Sequence, residues 1–194
     1  VMVSCFLTPT TESAYTFPPM LKREIEQVVG EYVLDVRDFR TDVGRDNICY
    51  IHVTLVPFIG PSGEQKTKPT QHSVTELRSR GIQPDIIVCR SEKPLSANLK
   101  HKISNLCNVD DDAVVNAADT NNIYALPLIL HDEGLDTVVC ERLRIDAPID
   151  LAPWQEMVAK VEAATRPVTI GLVGKYIDYQ DAYLSVVESL KHAG

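Results

Sequence analysis

Two apolar, β-branched runs on either side of a helical stretch constrain this chain more than any other feature. Cys49-Tyr-Ile-His-Val-Thr-Leu-Val-Pro57 and Pro84-Asp-Ile-Ile-Val-Cys89 each read as a buried strand. Between them, Ser73-Val-Thr-Glu76 has capping-box spacing and Gly81 suits a helix stop, which predicts a helix over roughly 71–80. Further on, Asn98 to Leu106 reads as a helix, Ala113-Val-Val as a short strand, and Asn121 to Glu133 as a helix ending at Gly134. Strands that alternate with helices predict an α/β fold built on a parallel sheet with crossover helices.

The ends follow other rules. Within residues 1–45, Leu21-Lys-Arg-Glu-Ile-Glu-Gln-Val-Val29 has helical spacing, with Leu21, Ile25 and Val28 on one face after Pro18-Pro19. Thr8-Pro-Thr-Thr-Glu-Ser13 before it has little pattern, so 1–45 is expected to be a divergent or ragged segment. Asp146-Ala-Pro-Ile-Asp-Leu-Ala-Pro153 breaks the alternation with two prolines, and Trp154 to Ala164 reads as an amphipathic helix. After Arg166-Pro167 the chain restarts, with a strand expected at Val168–Gly174 and a helix at Asp181–His192. The expected organisation is one α/β body over 46–145, a linker over 146–166 and the start of a second α/β unit over 167–194. One βα unit cannot bury its own faces, so the second unit is expected to be truncated or to depend on a partner.

Composition limits the function classes. At 44% hydrophobic residues the chain can bury a core, and a formal net charge of −8 argues against a nucleic-acid coat or a membrane-surface protein. No apolar run approaches the roughly 18 residues that span a bilayer, and Val1–Phe6 is too short for the core of a secretion signal. The charge is unevenly spread. Residues 64–102 hold eight Lys/Arg against four Asp/Glu, whereas 103–164 hold three against twelve. A basic zone on an acidic protein suits a compact polyanion, and equally a solvated helix face. The five cysteines are scattered and form no CxxC, which predicts free thiols, no zinc site and a cytoplasmic location.

Gly63-Glu-Gln-Lys-Thr-Lys-Pro-Thr-Gln71 carries the most chemistry. It lies between a buried strand and a helix N-terminus, on the side of an open α/β sheet where ligands usually bind. Lys66 and Lys68 supply two cations, Pro69 stiffens the backbone, and Thr70 and Gln71 open a helix whose free N–H groups favour an anion. A lysine-rich solvated loop has the same residue pattern, and residue type alone does not decide between them. Among the histidines, His52 reads as a core histidine, His72 as a residue near enough to approach a phosphate or simply a surface side chain, and His101 as solvent-facing. Trp154 reads as a packing residue of the linker helix.

Lys66-Thr-Lys-Pro-Thr-Gln-His-Ser-Val74, followed by Gly81-Ile-Gln-Pro-Asp-Ile-Ile-Val-Cys-Arg90, resembles the pyrimidine-triphosphate-binding stretch of cytidine triphosphate (CTP) synthases. The likeness continues through Lys100–Val109 and Ile123–Pro127. It ends in Gly171-Leu-Val-Gly-Lys-Tyr-Ile-Asp-Tyr-Gln-Asp-Ala-Tyr-Leu-Ser-Val186, which resembles the opening of the family's class I glutaminase domain. It spans about residues 45–194. The resemblance implies an ATP- and Mg2+-dependent ligase that phosphorylates the uracil 4-oxygen of UTP and displaces that phosphate with ammonia from glutamine. It further implies a P-loop-like synthetase half, GTP as a possible effector, a homotetramer, and no nucleic-acid or membrane partner. By position, Lys66, Thr67, Lys68, Pro69, Thr70, Gln71 and Lys102 would hold UTP, or CTP as inhibitor. Ala118, Asp119 and Thr120 would meet the adenine nucleotide. Read without the resemblance, Lys102 is a surface lysine and Asp119 a helix N-cap.

Several family parts are missing from these residues. No G-x-x-x-x-G-K-[ST] occurs; in Gly171-Leu-Val-Gly-Lys175-Tyr176 the glycines are too close and Tyr replaces the metal-binding hydroxyl. None of the cysteines has the flanking glycine of a nucleophile elbow. Glu24 faintly resembles the family's magnesium-binding acid, but lacks the glycines after it and also suits a plain amphipathic helix, so no metal ligand is assigned. No catalytic residue is expected in this chain, which by itself is expected to be inactive. The alternative of another class is a non-catalytic nucleotide-binding or assembly fragment; an unrelated α/β fold with a solvated lysine loop is the third.

Overall fold

A computed structural model describes residues 2–7, 36–176 and 178–193. The helix expected from Leu21, and Glu24 with it, lies outside the described residues. Contacts divide the chain into two units, Val1–Val158 and Ala159–Gly194.

The first unit is a four-stranded, wholly parallel sheet. β1 (Met2–Leu7), β2 (Ile48–Leu55), β5 (Ile86–Ser91) and β6 (Val114–Ala118) lie side by side in that order. Their registers are continuous: Met2 pairs with Ile48, Ile51 with Ile86, and Ile87 with Val114. β1 falls where the sequence has no clear pattern, and it forms because β2 offers it an edge to pair with. A second, two-stranded antiparallel ribbon, β3 (Phe58–Ile59) with β4 (Glu64–Gln65), turns at Gly60–Ser62 and closes on Gly63 in the left-handed region at φ 65°. Parallel neighbours need crossovers, supplied here by α1 (36–43), α2 (Lys68–Ser79) and α3 (Ala97–Cys107). α4 (Leu126–Asp132) and α5 (Leu135–Leu143) follow β6.

Residue alternation along the strands sorts these helices into two layers. Ile48, Tyr50, Ile87, Cys89 and Val114 face one side, where Val36, Phe39 and Val43 of α1, Val74 and Leu77 of α2, and Ile103 and Cys107 of α3 cover them. Cys49, Ile51, Ile86, Val88, Val115 and Ala117 face the other, under Leu126 and Leu130 of α4 and Val138 and Leu143 of α5. With helices on both sides, the strands are apolar on both faces, which is why their sequences read as unbroken hydrophobic runs.

Three sequence expectations are corrected. α2 starts at Lys68, not near 71, with Pro69 in its first turn. Ser73 is therefore not a cap: it is buried, facing the sheet, while Glu76 holds Arg80 at 3.0 Å. The helix expected over 121–133 is a 3-10 turn, Ile123–Ala125, followed by α4, and α5 had no counterpart in the sequence reading. Gly134 does stop α4, at φ 84°.

α6 (Ala152–Ala163) matches the expected linker helix. The indole Nε1 of Trp154 donates to the Tyr124 carbonyl at 2.7 Å. In the second unit, Val168–Gly174 is not the expected strand. It has no regular structure, and Val168 and Val173 are 77% and 98% exposed. A strand needs a neighbour to take its N–H and C=O groups, and none is present in this unit among the described residues. A 3-10 turn, Gln180–Tyr183, leads into α7 (Leu184–Ala193). Among the described residues no helix is long and apolar enough to cross a membrane, and no group of His, Cys, Asp and Glu forms a metal site.

Candidate functional site

The carboxyl ends of β2, β5 and β6 open onto three loops, and hydrogen bonds tie these loops together. Val56 N donates to Arg90 O at 2.8 Å, extending the β2–β5 pairing past the strand end. Gln65, in the β3–β4 ribbon, donates through Nε2 to Lys93 O at 2.7 Å, and the Lys93 ammonium lies 3.9 Å from the centroid of the Phe58 ring. Asp119 N donates to Ser91 O at 2.9 Å. Behind them sits Asn116, 3% exposed, which accepts from Leu95 N at 2.9 Å and donates to Cys89 O and Ser91 Oγ. Every buried polar group of that side chain is used, so the loop after β5 is held firmly.

The lysine segment follows the ribbon. Lys66 N donates to Pro57 O at 2.9 Å, and the half-buried Lys66 ammonium donates to Glu64 Oε2. Thr67 is buried at the N-cap of α2 without a side-chain cap hydrogen bond. Its hydroxyl instead accepts from Gln71 Nε2 at 2.9 Å. Lys68 is the exposed first residue of the helix. Thr70, fully buried, donates to Leu55 O at 3.2 Å and so fastens the first turn of α2 to the end of β2. The first turn of α2 therefore presents N–H groups toward the carboxyl edge of the sheet with no side chain of its own cap bonded to them.

Lys102 stands on α3. The Lys66 hydrogen bond holds the Glu64 carboxyl below the usual carboxylate range, the Lys66 charge adds to this, and the Lys102 charge contributes as well. Ala118, Asp119 and Thr120 stand at the end of β6, two strands from β2 and so on the order of 10 Å across the sheet. Asp119 is not a helix cap: it accepts from Arg90 Nη2 at 2.6 Å, and Asn122 caps the following 3-10 turn. Thr120 Oγ1 accepts from Asn122 N at 3.3 Å. Arg90, which also donates to Ala117 O at 2.6 Å, was not read as a site residue. Its signal was a lone guanidinium ending an apolar strand.

The remaining candidates have these settings. His52 is 1% exposed in mid-strand, and His101 pairs with Asp111 at 2.8 Å on the surface. His72 is exposed on α2. Lys175 lies over its neighbour Tyr176 in the second unit.

The family model described as CTP synthase N-terminus matches residues 23–145, beginning upstream of the motifs that carry the resemblance. The CTP synthase of Moorella thermoacetica is 51% identical over 183 residues, which cover 91% of this chain and 34% of that protein. The CTP synthase of Clostridium perfringens is 56% identical over 160 residues, 82% of this chain and 30% of the relative. That of Bacillus licheniformis is 53% identical over 177 residues, with 88% and 33% covered. The chain spans about a third of the length of these relatives.

Proposed function

Because the chain belongs to the CTP synthase family of pyrimidine biosynthesis, we propose that its carboxyl-edge loops form the pyrimidine-triphosphate site of a CTP synthase. Lys66 and Lys68 act on the phosphates together with the amide-rich start of α2, and Lys102 adds a third cation. The observation that carries this reading is the ion pair of Lys66 with the Glu64 carboxylate just before the first turn of α2, at the carboxyl edge of the sheet. A carboxylate oxygen already takes the Lys66 ammonium, which is the chemistry a phosphoryl group would meet.

Ala118, Asp119 and Thr120 would meet the adenine nucleotide from the neighbouring loop, with the Arg90–Asp119 pair fixing the loop's direction. Magnesium, glutamine, GTP and a tetrameric assembly belong to the whole family protein, of which this chain is about a third. Within that protein the reaction would be ATP-dependent amination of UTP to CTP. Residues 167–194 are proposed to open its glutaminase domain. In support, similarity that covers 91% of the chain necessarily runs past residue 167.

Calorimetry of the chain with UTP, CTP and ATP tests the site. A charge-assisted contact contributes about 1.5–3 kcal/mol, so Lys66→Ala and Lys68→Ala are each expected to weaken UTP about ten-fold or more. Unchanged UTP affinity in both variants removes the assignment.

A further inference from the structure

Glu64 is an unexpected residue to find at an anion site. Its carboxylate sits in a two-residue strand, 61% exposed, and accepts from Lys66 Nζ while Lys102 adds its charge nearby. The ribbon that carries it is anchored independently: Gln65 bonds the Lys93 carbonyl, Phe58 lies under the Lys93 ammonium, and Lys66 N bonds Pro57 O. The backbone of Glu64 is thus held beside Lys66, and its side chain meets Lys66 in an exposed ion pair. A phosphoryl oxygen that takes Lys66 has to displace the carboxylate, and the short ribbon keeps the displaced charge close.

We propose that Glu64 is a resident counter-anion of the lysine cradle, competing with incoming phosphates for Lys66 and so limiting how strongly the site takes polyanions. The proposal rests on the nucleotide-site reading above. Without a ligand, Glu64 neutralises the Lys66 ammonium. With a ligand, it opposes the phosphate charge, so its effect grows with the number of phosphates and disappears in high salt. A site built this way discriminates through the neutral base and sugar rather than through charge alone.

The test is calorimetry of the chain and its Glu64→Gln variant with UTP and with inorganic tripolyphosphate, at about 50 mM and about 500 mM salt. Exposed ion pairs are weak, so Glu64→Gln is expected to tighten both ligands by about two- to five-fold at low salt, with the gain gone at high salt. Glu76→Gln, which removes an equal charge from the exposed surface of α2 two turns further along, is expected to change neither affinity. Equal tightening by Glu76→Gln reduces the effect to net charge and overturns the proposal. So does a Glu64→Gln variant that binds like the parent while Lys66→Ala binds worse, an outcome that leaves the site reading standing. If Lys66→Ala alone binds UTP like the parent, the Glu64 proposal falls; if Lys68→Ala does so too, or the parent binds neither probe, the site reading falls with it.

Discussion

His52 and Ser73 meet in the buried layer between β2 and α2, with Nε2 of the imidazole 2.8 Å from the serine Oγ. The other ring nitrogen, Nδ1, is buried without a hydrogen-bond partner. Burial lowers the His52 pKa, and no charged group offsets it. The imidazole's neighbours in register, Phe6 on β1 and Ile87 on β5, do not titrate. The folded chain therefore binds fewer protons at this site than the unfolded chain. The stability this group contributes is complete above the unfolded histidine value of about 6.5 and is lost as pH falls below it toward the folded value. Urea midpoints measured between pH 7.5 and 5.5 are expected to fall, with a slope from this site of at most about 1.4 kcal/mol per pH unit. His52→Gln should flatten that slope whatever it does to absolute stability.

At the outer edge of the sheet, Glu133 accepts from Asn116 N at 2.7 Å and from Lys100 Nζ at 2.5 Å. β6 is the last strand, so this N–H has no strand to bond, and Glu133 takes that role. Glu133→Ala leaves a part-buried donor and an ammonium unpaired, at an expected cost of about 1–3 kcal/mol in urea denaturation. Glu133→Gln keeps an acceptor for the amide and should cost less.

Thiol reactivity should separate the cysteines. Burial pushes Cys89 up to about 12 and Cys49 and Cys107 up to about 11, so each stays a protonated, enclosed thiol. Cys140 is less buried. Under native conditions at pH 8, peptide mapping after alkylation should find Cys140 labelled before these three, which react only once the chain unfolds.

Gly81 closes α2 at φ 86°, with its N–H on Arg78 O at 2.9 Å. A Cβ there would stand 2.9 Å from Arg37 Cδ as well as in a conformation L-residues resist. Gly81→Ala should cost about 1 kcal/mol, read as a shift in urea midpoint.

The buried strands were legible because a parallel sheet covered on both faces demands long apolar segments, and Ile48–Leu55 and Ile86–Ser91 supply them. Gly81 and Gly134 marked helix ends because left-handed backbone selects glycine. The start of α2 was misread because Ser73 and Glu76 have capping spacing whatever their partners are. Pro69, which favours a first turn, was the better signal. β1 and α5 could not be read, since their residues acquire meaning only from the strand and sheet face they cover. The expected strand at Val168–Gly174 had the right composition but no neighbour in its unit.

By itself, the sequence determined the layered α/β class and that two lysines stand just before and at the start of a helix, because both follow from residue type at short spacing. The tertiary structure alone decided that the ribbon carrying Glu64 and Lys66 is tied to the loop after β5 through Gln65 and Lys93, and that Arg90 holds Asp119. These are contacts between segments whose separation along the chain says nothing of their distance in space, and only the register of a parallel sheet brings its loops to one edge.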